Sequence, residues 1–75
     1  MYSLRVGLAR ATRELRLSAG LSQERLAAAA AVHRSFVFRL EKGEVNVSLD
    51  VLGRLAAALG VSVSELIALA EQRAA

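Results

Sequence analysis

Between residues 34 and 42 the chain runs Arg-Ser-Phe-Val-Phe-Arg-Leu-Glu-Lys. On a helix at about 100° per residue, Arg34, Ser35, Phe38, Arg39 and Lys42 fall within an arc of roughly 140°, with Phe36, Val37, Leu40 and Glu41 on the rest. One face therefore carries three cations and a hydroxyl, and the other packs. Such a face fits the major groove of B-DNA, where arginine gives two parallel hydrogen bonds to guanine O6 and N7. Serine adds an adaptable donor or acceptor, and Phe38 is expected against a thymine methyl. Other chemistry is poorly supplied. With no cysteine and His33 as the single histidine, no metal site is expected. There is no phosphate loop, and the serines stand as helix caps rather than beside a base, so no catalytic residues and no cofactor are expected, and an enzyme is the least favoured class.

The elements that must hold this face are legible from local punctuation. Leu4, Leu8, Ala11 and Leu15 recur on one helix face, and Gly20 lies where that helix ends. Ser22 caps a second helix, with Leu21 and Leu26 as its hydrophobic staple. Val32 and His33 lead into a third, over 34–42, which Gly43 ends. Ser48 caps a fourth, stapled by Val47 and Leu52 and closed by Gly60. Ser62 caps a fifth, with Glu65 completing a capping box and Val61 and Leu66 as staple. Only about three residues, Ala31 to His33, separate helices two and three, so the two must cross steeply, as in a helix-turn-helix spanning about 22–42. The whole of 1–75 is expected to be one all-α domain, a compact five-helix bundle; 75 residues leave no room for a second core.

Charge divides the chain. Residues 1–42 hold eight Lys or Arg against three acids, a balance of +5, whereas residues 43–75 balance at −2, for the total of +3. A basic first half suggests a polyanionic partner, nucleic acid or an anionic membrane surface. The longest apolar run, Leu26 to Val32, is seven residues, far short of the ~20 a span needs. Arg5, Arg10 and Arg13 break any signal-peptide core, so no membrane and a cytoplasmic location are expected. These three arginines otherwise read as a solvated face. The alanine block from Ala27 to Ala31 reads as close helix packing.

Residues 21–67 resemble the Cro/repressor-type (XRE family) helix-turn-helix domains of bacteria and phage. The features that carry this are Leu21-Ser22-Gln23, Leu26-Ala27, Val32, Val37, Leu40-Glu41-Lys42-Gly43, Asn46, Ser48-Leu49, Leu59-Gly60-Val61 and Ser64-Glu65-Leu66. The resemblance implies a lambda-repressor-like fold, with Arg34, Ser35 and Arg39 reading bases. It implies that Gln23, at the start of helix two, touches a phosphate, and that His33, Lys42, Asn46 and Ser48 hold the DNA backbone. His33 has an alternative role as a cap alone. Arg16 and Glu41 match a partly buried salt bridge between helices one and three. Ala31 departs from the pattern, standing where the turn usually has glycine, which implies either strain or a different turn. Val47 stands where proline is common, and Phe38 where small polar residues are usual.

With His-Arg-Ser leading helix three and Asn-Val-Ser-Leu before helix four, the chain looks most like the controller proteins of restriction-modification systems. The resemblance thus implies a sequence-specific transcriptional regulator, with phage Cro-like repressors and helical antitoxins as alternatives. A homodimer is expected from surplus apolar surface within about 47–72. Val63, Leu66, Ile67, Leu69 and Ala70 span roughly 160° of helix five, and Val51 sits at the edge of the stripe of helix four. Two-fold symmetry would set the recognition helices ~34 Å apart on a pseudo-palindromic operator. The expected partners are double-stranded DNA and a second copy, without a small-molecule ligand.

Overall fold

A computed structural model describes residues 3–74. The order is α1 (Leu4–Ser18), α2 (Gln23–Ala30), α3 (Arg34–Glu41), α4 (Leu49–Leu59) and α5 (Val63–Gln72), with no strand among the described residues. The expected all-α five-helix architecture is what forms. Each helix opens on a side chain that accepts a first-turn N–H: Ser3, Ser22, His33, Ser48 and Ser62 in turn. At Ser62 the reciprocal bond from its own N–H to Glu65 Oε1 completes the capping box.

The turn between α2 and α3 settles the question raised by Ala31. Its φ of 56° and ψ of 45° make it the one non-glycine residue with positive φ among the described residues. An alanine there costs ~1 kcal/mol. The bend is held regardless: Val32 N–H donates to the Ala27 carbonyl at 3.0 Å, and Arg54 reaches from α4 to donate its Nε–H to the Ala30 carbonyl at 2.9 Å. That guanidinium places a cation at the C-terminal end of α2, where the helix dipole favours it.

Leu26, Val37, Leu40, Leu55 and Leu66 fill the centre, one or more from every helix except α1, which contributes Leu8 and Ala11. α1 packs along α5 at close range. A Cβ at Gly7 would stand 1.9 Å from the Ala70 carbonyl oxygen, so only glycine fits this crossing as built. Polar ties run along the same seam. Ser3 N–H donates to the Ala74 carbonyl, Arg10 to the Arg73 carbonyl, and Arg73 forks onto Glu14 through two 3.1 Å bonds. α4 and α5 meet at a 93° bend, and among the described residues no single helix is long and apolar enough to cross a membrane. The consequence for the site is that α2 is braced on α4, and α3 on α2 and α1.

Candidate nucleic-acid interface

α3 is anchored by its inner face. Val37 and Leu40 are fully buried and Phe36 is half-buried, while Arg34, Ser35, Phe38 and Arg39 lie exposed on the outer face. Phe36 is thus core. Behind Glu41 stands a tight network: Arg16 Nε donates to Glu41 Oε2 at 2.7 Å and Arg16 Nη2 to Glu41 Oε1 at 2.9 Å. Arg16 Nη1 donates to the Leu21 carbonyl at 2.9 Å. The bridge expected between helices one and three is present, and both side chains are more than nine-tenths buried. Its carboxylate raises the Arg16 pKa further above the usual arginine range. The fork ties α1, the α1–α2 connection and the end of α3 together, and so fixes the pitch of α3.

Gln23 joins this network. Its Nε2 donates to Glu41 Oε1 at 3.1 Å, which leaves one amide N–H at the start of α2 for an outside acceptor. His33 is the N-cap of α3: Nδ1 accepts the Ser35 N–H at 3.1 Å and lies 2.8 Å from Ser35 Oγ. In a neutral ring the proton must then sit on Nε2, the nitrogen not engaged by the helix. Capping and an outward donor are therefore compatible roles. Gln23, His33, Arg34, Ser35 and Phe38 line one shallow concavity, so residues from the start of α2 and from α3 converge.

Lys42, the C-cap of α3, holds its Nζ 5.1 Å over the Phe38 ring and 3.6 Å from Glu44. Phe38 is 52% exposed, so a large apolar surface lies among the cations. Arg39 is exposed and has no ion pair among the described residues. Ser48 Oγ accepts the Val51 N–H as N-cap of α4, leaving its hydroxyl hydrogen to donate elsewhere. Asn46 is exposed, with Oδ1 accepting from Arg5 Nη2 at 2.6 Å.

Of the residues expected at an interface between copies, Val63 is 41% exposed, whereas Val51, Ile67 and Leu69 are half-buried and packed on the core. The most exposed large apolar side chain among the described residues is one not expected at that interface, Leu49 at 84%. An apolar groove lined by Leu4, Leu8, Val47, Leu52 and Ile67 lies between the start of α1, the α3–α4 connection and α5. Arg5, Glu24 and Arg54 were also missed as partners. Nothing local in the sequence pairs them with Asn46, Arg34 and the Ala30 carbonyl, which stand 41, 10 and 24 residues away.

Two short helices joined by a three-residue bend, the second presenting a cationic outer face, define a helix-turn-helix protein. Comparison with known proteins gives the same result: the model of the helix-turn-helix family HTH_3 matches residues 13–66. Control protein C.BamHI of Bacillus amyloliquefaciens is 36% identical over 66 residues, which are 87% of this chain and 82% of that one. The structure of the restriction-modification controller protein C.AhdI from Aeromonas hydrophila superposes with a TM-score of 0.80 at 44% identity, over 83% of this chain and 94% of that one. The clp gene regulator ClgR from C. glutamicum superposes with a TM-score of 0.92 at 33% identity, over 97% of this chain and 94% of that one. The chain belongs to the HTH_3 (XRE) helix-turn-helix family of DNA-binding regulators and is homologous to restriction-modification controller proteins.

Proposed function

We propose that this protein is the controller of a restriction-modification system, a non-enzymatic cytoplasmic regulator that binds a pseudo-palindromic operator as a homodimer. One observation carries the DNA reading: Arg34, Ser35, Phe38 and Arg39 project together from a helix whose back is locked into the core by Val37, Leu40 and the Arg16–Glu41 fork. Arg34, Ser35, Arg39 and Phe38 are assigned to base edges. Gln23, His33, Lys42, Asn46 and Ser48 are assigned to phosphates, consistent with the donors each has left over. Phosphate contacts supply salt-dependent affinity and base contacts supply sequence preference. Homology to C.BamHI and C.AhdI supports the controller role. The likeness to ClgR makes control of other genes the second reading. Exposed Val63 and Leu49 and the apolar groove beside Ile67 support pairing with a second copy.

The test is to select binding sites from random DNA and compare variants on the recovered site. Arg39→Ala is expected to cost ~1–3 kcal/mol and relax preference at one base pair. Lys42→Ala is expected to weaken all duplexes alike and flatten the salt slope by about one unit. Recovery of no preferred sequence would sink the DNA-reading proposal.

A further inference from the structure

An acid stands on the face assigned to a polyanion. Glu24 Oε2, in the first turn of α2, lies 3.6 Å from Arg34 Nη1, in the first turn of α3, with side chains 76% and 68% exposed. The helix dipole favours an acid in the first turn of α2, but that does not call for Arg34 beside it, and an ion pair this exposed contributes almost nothing to stability, so the fold does not account for the pairing. Nor does it fit simple attraction to phosphate. Glu24 directly follows Gln23 at the N-terminal end of α2, where a phosphate is expected to dock, and a carboxylate there repels one.

We propose that Glu24 is a specificity-determining residue, which weights Arg34 toward a base edge and against the DNA backbone. Arginine has five N–H donors in a planar fork. Two of them suffice for guanine O6 and N7, and an Nη1–H remains for the carboxylate, so Arg34 can hold a guanine and Glu24 together. On a duplex without the matching base, the best partner left for Arg34 is a phosphate. Turning to it breaks the pair and leaves an unpartnered Glu24 carboxylate beside the backbone. The acid is thus compensated in the matched complex and uncompensated in the unmatched one, and discrimination rises through weaker non-specific binding.

Lys42 and Glu44 provide an internal control. They form the same kind of exposed pair at 3.6 Å, but Lys42 is assigned to a phosphate on every sequence. Glu44 therefore weakens all duplexes alike. Arg39, without an acid beside it, has no such bias.

This inference rests on the DNA reading above, and the experiment separates the two. Wild type, Glu24→Gln and Glu44→Gln are measured by fluorescence anisotropy across a salt series. The probes are the tightest duplex recovered from a random pool and a scrambled duplex of equal length and composition. Glu24→Gln is expected to tighten the scrambled duplex about five- to tenfold while moving the selected one less than twofold, and to steepen the salt slope on scrambled DNA by about one unit. Glu44→Gln is expected to tighten both equally. Thermal melts of both variants should match wild type, since the residues are exposed. Equal gains on both duplexes for Glu24→Gln, or no gain on either, overturn the role of Glu24 while leaving the DNA reading in place. A wild-type protein that prefers no duplex overturns both.

Discussion

Glycine to alanine at two helical positions, Gly7 in α1 and Gly53 in α4, is expected to act with opposite signs. In a helix interior the change by itself stabilises by ~1 kcal/mol, because glycine loses more backbone freedom on folding. At Gly53 nothing lies within 4 Å of the added methyl, so that gain is kept. At Gly7 the methyl meets the Ala70 carbonyl oxygen at 1.9 Å, its carbon at 2.9 Å and Ala74 Cα at 3.0 Å. All three are backbone atoms, which cannot rotate aside. Restoring ordinary contact requires α1 and α5 to part by roughly 1.5 Å at the crossing, and a gap of that size forfeits most of the dispersion energy along the seam. Overpacking typically costs ~1–3 kcal/mol, and a clash with rigid backbone belongs at or above the upper end. After the propensity gain, the net loss at Gly7 is about 2 kcal/mol. With ~4–8 °C per kcal/mol for a domain this size, Gly7→Ala should melt about 8–16 °C below wild type and Gly53→Ala about 4–8 °C above it. Thermal denaturation followed by far-UV circular dichroism, at one matched protein concentration, reads both. A Gly7→Ala protein that melts at or above wild type would refute the packing argument. A Gly53→Ala protein that melts below it would show that the open space is occupied, as by a second copy.

Replacing Glu41 by Gln removes the charge that compensates Arg16, whose residue is 8% exposed, and should cost about 3–5 kcal/mol in urea denaturation; a loss under 1 kcal/mol would show that the fork does not hold α3. Acid should destabilise the protein through two carboxyls. The Arg73 guanidinium holds Glu14, and the Ser62 backbone N–H holds Glu65, below the ordinary value of 4.5. Because the folded pKa lies below the unfolded one, their stabilisation is full above about pH 4.5 and is lost as pH falls through the depressed values. Melting temperature should therefore drop on acidification below that point, and by less in a Glu14→Gln, Glu65→Gln double variant; an equal drop would exclude both groups. Ile67→Asp and Leu49→Asp should each yield monomers in sedimentation equilibrium, and dimers persisting in both would place the pairing surface elsewhere.

Much of the fold was legible because its signals are local. Ser22, Ser48 and Ser62 cap helices through N–H groups three residues on, and their staple partners lie five residues apart, so the serine, leucine and valine spacing alone marks each start. The recognition face was equally readable, since 3.6 residues per turn sorts Arg34, Ser35, Phe38 and Arg39 from Val37 and Leu40 without knowledge of anything else. Ser3 escaped notice as the cap of α1 although its signal is just as local.

The sequence by itself determined five helices, where they start and stop, and which side of α3 carries the cations, because each of these depends on residues within about one helical turn. Tertiary structure alone decided which polar groups distant in sequence are partnered. Arg34 stands beside Glu24, Arg5 holds Asn46, Arg54 closes the end of α2, and the amide of Gln23 is half taken up by Glu41. It also decided that Ala31 takes the left-handed bend and that Leu49, apolar in sequence, stands 84% exposed. The physical reason is the same in every case. Which distant side chains meet depends on the angles and distances at which helices cross, and those are set by the packing of the whole core, the close approach of Gly7 to the Ala70 backbone among it.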